Sequence, residues 1–265
     1  MSDESALVGG MDPSAGVVRV GDTVRRPARR SSPATRALLL HLERVGFDGA
    51  PRFLGVDEAG RDVLTFVEGD VPLPPYPTWS LTDEVLASLG RLLRRYHDAT
   101  ATFDQRSVTG WSDDWSDPEG GPVVCHNDLF PENVVVRDGR VVAFIDFAEA
   151  APGRPLWDLA IACEEWAPVH APGARLNHPD RLDGVRRVGQ LARAYGLEPG
   201  RGEELVDVIG QERARELAHV RAQAAAGREP WASHWAETHG EDRAAADDAW
   251  LRQNRAALVR SVSAR

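Results

Sequence analysis

The chain has 265 residues, 42% of them hydrophobic, and its 41 acidic residues outnumber 31 basic ones for a formal charge of −10. That composition suits one large domain or two lobes, and it argues against a nucleic-acid groove while mildly favouring cationic partners. All 31 basic residues are arginine, so any mechanism that requires a lysine side chain is excluded.

The opening stretch MSDESALVGG is acidic and lacks the charged-then-apolar pattern of a signal peptide, and no apolar run approaches the ~18 residues of a membrane span. The cytoplasm is the default expectation. A glycine-bearing loop, VGGMDPSAG, leads into VVRVGDTVRR at 17–26, which predicts two short strands around the turn Gly21-Asp22. ATRALLLHLERV then puts Leu38, Leu42 and Val45 on one helical face, with Gly46 as the stop. RFLGVDEAGRDVLTFVEG reads as a second hairpin. The proline cluster VPLPPYP at 71–77 suits a connector.

From 81 to 102, Leu86, Leu89, Leu92, Leu93 and Tyr96 recur at helical spacing, which predicts one long helix despite Gly90. Residues 104–121 read as an acidic loop or a short irregular helix, followed by the apolar PVVC, the turn HNDLFPEN at 126–133 and a hairpin with Asp138-Gly139 at its tip. Beyond Trp157 the pattern is helical, near 155–166, 181–196, 202–226 and 242–261. Cys125 and Cys163 both lie in apolar runs, as buried inert thiols do, and no disulfide framework is indicated.

The turn carries the chemistry. A strand delivers His126, Asp128 and Asn133 into a loop, and the next hairpin brings Asp146 back beside them. Two carboxylates and an amide at strand ends are what phosphoryl transfer needs: one carboxylate to orient and deprotonate the attacking hydroxyl, an amide and a second carboxylate to hold Mg²⁺ against phosphates.

HNDLFPEN resembles the protein-kinase catalytic loop H-R-D-L-x-x-x-N. IDFAEAAPGRPLWDLA after it resembles the aminoglycoside phosphotransferase and choline kinase family of that superfamily. The resemblance implies a bilobal α+β protein-kinase-like fold, with a small β-rich N-lobe over residues 1–67 and a larger, mostly helical C-lobe over 68–265. It implies Asp128 as catalytic base, Asn133 and Asp146 as Mg²⁺ ligands, and His126 as a brace for the loop. Asp158 is assigned a structural role.

In the N-lobe, Gly9, Gly10 and Ser14 are expected over the phosphates and the backbone around Phe66 and Val67 against adenine. With no lysine for the strand position, Arg25 is the expected phosphate contact. The early turns of the first helix hold no acid to serve as the usual partner glutamate. ATP is the expected phosphate donor, with GTP left open, and the expected acceptor is a hydroxyl of a small molecule: aminoglycoside-like, an amino alcohol or sugar-like, with a cationic one favoured by charge. The short path from Asp146 to PLWDLA, without a long activation loop, argues against a protein substrate. Nucleic-acid and membrane partners are not expected. The rival expectation is a nucleotide-binding module that keeps the fold without turnover.

Overall fold

The computed structural model describes residues 4–6 and 16–264. It divides into two compact units: residues up to Leu73 together with Arg95–Pro155, and Pro74–Arg94 together with Leu156–Arg265.

The first unit is built on a five-stranded antiparallel sheet: β1 (Glu4–Ala6), β2 (Val18–Val20), β3 (Thr23–Arg26), β4 (Phe53–Val56) and β5 (Asp62–Thr65) in the order β1-β2-β3-β5-β4. Both predicted hairpins are present. Gly21, at φ +60°, supplies the left-handed backbone that the tight β2–β3 turn requires. β1 is not predicted, since three exposed residues carry no periodicity; its register against β2 makes it a strand.

One helix follows β3, α1 (Ser32–Arg44), with a proline in its first turn and Leu38, Leu39 and Leu42 buried. The same unit holds β6 (Val123–Cys125), the hairpin β7 (Val134–Arg137) and β8 (Arg140–Phe144), and β9 (Ala151–Gly153), which pairs with β6. Tyr96 stacks its ring within 6.0 Å of those of Phe47, Phe144 and Phe147, so an aromatic cluster underlies the loop between β6 and β7.

The second unit is helical. It holds most of α2 (Asp83–Thr100) and essentially all of α3 (Pro155–Trp166), with α4 (Gly184–Tyr195), α5 (Gly202–Ala225), α6 (Trp231–Glu237) and α7 (Gly240–Ser263). The long predicted helix is present, and Gly90 within it has a packing reason. A Cβ there would lie 2.9 Å from the Tyr195 amide nitrogen and 3.0 Å from the Leu191 carbonyl oxygen, so α2 and α4 cross too closely for any side chain.

Charge is buried deeply in this unit. Arg213 binds both carboxylate oxygens of Glu164, at 2.8 and 2.7 Å, and the carbonyls of Val169 and Asp247. His170 bonds Asp247 at 3.0 Å. Glu212 is buried beside them with Oε2 unpartnered, and its carboxyl is pushed well up by burial and by the charges of Glu216 and Glu164. Fully buried Arg187 donates from Nε to the Trp166 carbonyl and from Nη1 to the Leu81 carbonyl, while its Nη2 has no hydrogen-bond partner among the described residues.

No helix among the described residues is long and apolar enough to cross a membrane.

Candidate active site

β6 is buried along its length and ends by delivering His126, Asn127 and Asp128. His126 is fully buried; its Nε2 meets the Ile145 carbonyl at 3.0 Å and its ring lies 4.6 Å from that of Phe147. The loop is thereby braced against the end of β8, next to Asp146. Asn127 takes a left-handed φ of 62° and donates from Nδ2 to the Glu149 carbonyl at 2.9 Å, a second tie across the same gap. Asn133 closes the arrangement: its Nδ2 donates to the Asp128 carbonyl at 3.1 Å, and its own carbonyl accepts from the Ile145 amide at 2.9 Å.

Asp128, Asn133 and Asp146 thus meet where the β6–β7 turn and the end of β8 adjoin. All three are half-buried. Burial, reinforced by the charges of Asp146, Glu149 and Glu132 and opposed by an Asn133 hydrogen bond, pushes the Asp128 carboxyl up to about 8. Burial also works to raise Asp146, but Arg26, by charge and hydrogen bond, and Arg29 outweigh it and hold that carboxyl down. Two neighbouring carboxylates are thus driven in opposite directions. Asp146 adopts φ 60°, a left-handed conformation that non-glycine residues hold only when their surroundings enforce it.

The cation at Asp146 is Arg26, whose Nη2 lies 2.6 Å from Asp146 Oδ1; its side chain is 11% exposed. Arg25, the expected phosphate contact, does not sit at Asp146. Arg25 turns to the opposite face of β3, where it donates to Thr23 Oγ1 at 2.7 Å and faces Asp57 at 3.8 Å. Alternation along a strand sends neighbours to opposite faces, and two adjacent arginines hide that phase in a sequence.

Phe66 and Val67 follow β5 and are half-buried, with the Phe66 amide bonded to the Asp22 carbonyl and the Arg19 guanidinium 3.6 Å from the Phe66 ring centroid. Gly9, Gly10 and Ser14 lie outside the described residues. Glu149, three residues past Asp146, lies beside the site: its carboxylate accepts from Ser112 Oγ, and burial pushes it up.

The donor set fits a Mg²⁺ ion. That ion takes few protein oxygens, all hard, alongside phosphates and water. Asp146 offers a carboxylate held ionised, and Asn133, with its amide nitrogen committed to the Asp128 carbonyl, offers Oδ1.

Residues 103–205 match the profile of the phosphotransferase enzyme family, APH. The trifolitoxin immunity protein of Rhizobium leguminosarum bv. trifolii is 40% identical over 168 residues, 62% of each chain, so the match spans less than two thirds of that protein's length. A choline/ethanolamine kinase family protein from Mesorhizobium loti superposes with a TM-score of 0.60 at 18% identity, covering 93% of this chain and 88% of that one. The GDP complex of aminoglycoside 2'-phosphotransferase-IIIa superposes with a TM-score of 0.61 at 14% identity, covering 91% and 92%. The fold is therefore protein-kinase-like. Within that fold, residues 103–205 are similar to the phosphotransferase enzyme family.

Proposed function

We propose that this protein transfers the γ-phosphate of ATP to a hydroxyl of a small molecule. The observation that carries the reading is the meeting of Asp128, Asn133 and Asp146 in one braced turn, with Arg26 on Asp146. Asp128 orients the acceptor hydroxyl and takes its proton; a carboxyl whose proton affinity is matched to neutral pH suits that role. Asn133 and Asp146 would hold Mg²⁺, which would supply positive charge to offset that of the phosphates. Arg26, rather than Arg25, supplies the cationic contact to the phosphates, its planar fork serving where kinases use a lysine.

Residues 1–67 act as the nucleotide lobe, with Gly9, Gly10 and Ser14 over the phosphates and the Phe66–Val67 backbone at the base. Residues 68–265 supply the catalytic loop and the acceptor side. The acceptor is an amino alcohol, an aminoglycoside-like or a sugar-like alcohol. ATP is the first donor to test and GTP the second, since the aminoglycoside phosphotransferase that superposes was solved with GDP.

The test is calorimetric titration of ATP with and without Mg²⁺, followed by ADP release across a panel of these three acceptor classes. Mg²⁺-dependent nucleotide binding with turnover on one class is expected. Binding without turnover on any acceptor returns the protein to the rival reading of a non-catalytic module, and absence of nucleotide binding refutes both.

A further inference from the structure

We infer that Thr35 and Arg36, adjacent on α1, are positioning residues that set Arg26 against Asp146, through an ion pair to Asp62 whose polarity is the reverse of the kinase strand-lysine to helix-glutamate pair. The inference rests on the phosphotransferase reading and concerns residues that no motif marks.

Asp62 opens β5 directly across from Arg26 on β3. Paired residues project to the same face of a sheet, so the Asp62 carboxylate and the Arg26 guanidinium share the face on which α1 lies. Asp62 is only 5% exposed, and its Oδ1 receives both Nε and Nη2 of Arg36 at 2.6 Å. That carboxylate therefore neutralises the helix arginine and leaves the strand arginine to Asp146. Cation on the helix and anion on the sheet invert the usual arrangement, and they do so in a chain whose helix has no acid in its first turn.

The neighbouring residue completes the link. Thr35 Oγ1 donates to the Phe147 carbonyl at 3.0 Å, one residue past Asp146. Two successive positions of one helix thus grip the strand that faces Arg26 and the segment that carries Asp146. Between them lies a narrow cleft whose polar lining includes Arg26, Arg29, Thr35, Arg36, Asp62 and Asp146. Along this part of α1 the polar bonds of Thr35 and Arg36 act beside apolar contacts that include buried Ala34 and Leu39. Asp146 needs such a grip, because its left-handed φ persists only where neighbours hold it.

The test compares the parent with Asp62→Asn, Arg36→Gln, Arg36→Lys and Thr35→Val, measuring affinity for Mg²⁺-ATP and for adenosine by calorimetry, with thermal melting alongside. Asp62→Asn and Arg36→Gln are expected to weaken Mg²⁺-ATP at least tenfold while adenosine affinity stays within twofold. Thr35→Val should shift Mg²⁺-ATP in the same direction by less, with little change in melting, and Arg36→Lys should restore part of the loss. If Arg36→Gln or Asp62→Asn does not fold, the Thr35→Val and Arg36→Lys pair decides. Equal losses for both ligands, or Mg²⁺-ATP affinities within twofold of the parent throughout, would overturn the inference while leaving the phosphotransferase reading standing. A parent that binds neither ligand overturns that reading, and the inference with it.

Discussion

Replacing Arg26 by alanine, beside a matched replacement of Arg25, separates the two faces of β3 by experiment. Arg26 is largely buried and reaches Asp146 at 2.6 Å; Arg25 makes a longer 3.8 Å approach to Asp57 on the other face. A hydrogen bond to a charged group contributes about 1.5–3 kcal/mol, which at ~1.4 kcal/mol per decade is a ~10- to 150-fold weakening of nucleotide binding for Arg26→Ala. Arg25→Ala loses a partly buried, loosely spaced contact on the face away from Asp146, and its effect on nucleotide binding should stay below ~3-fold, the size of a weak ion pair. The assay is calorimetric titration of ATP, with and without Mg²⁺, into both variants and the parent. Asp146 should also titrate at higher pH in Arg26→Ala, because the guanidinium that holds its carboxyl down is gone. A larger loss from Arg25→Ala than from Arg26→Ala would refute the assignment of the inward face.

Asp128→Asn should abolish phosphoryl transfer and leave ATP affinity close to the parent's. In the absence of metal it should also stabilise the fold: between pH 3.8 and about 8 the folded protein keeps a proton that the unfolded chain has released, so the parent loses stability as pH rises through that window. Thermal melts should place Asp128→Asn above the parent at pH 8, with the gap closing toward pH 4; an unchanged gap contradicts the raised carboxyl. Glu212→Gln follows the same sign. Its carboxyl is raised by burial, so its destabilising effect begins above the usual 4.5, and the substitution should raise the melting temperature at pH 7.5 but not at or below pH 4.5. Gly90→Ala should destabilise, because overpacking against Tyr195 and Leu191 costs about 1–3 kcal/mol and outweighs a helix-propensity gain of up to ~1 kcal/mol. Urea unfolding that finds Gly90→Ala more stable than the parent would contradict the close α2–α4 crossing.

Much of the fold was legible because periodicity and turn chemistry are local signals. Gly21-Asp22 and Asp138-Gly139 announce their hairpins, and the leucines of α2 announce their helix in spite of Gly90, whose reason lies on another helix, α4. β1 and β9 were illegible because each is three residues long and becomes a strand only by pairing with β2 or β6. In the site, HNDLFPEN is readable since its donors crowd into eight residues. Arg26 is not distinguishable from Arg25 without the register that sets their phase. The Arg36–Asp62 pair is invisible for a different reason: it joins residues 26 apart in sequence and reverses the polarity a reader would look for.

The guanidinium at Asp146 also determines how this protein can be probed. A reagent that acylates amines finds no lysine in this chain, whose cation at Asp146 is an arginine. A guanidinium stays protonated at neutral pH and is a poor nucleophile toward such reagents. A survey of nucleotide-binding proteins by lysine acylation would therefore pass this one over, whereas a dicarbonyl reagent selective for arginine has a target, and bound nucleotide should shield it.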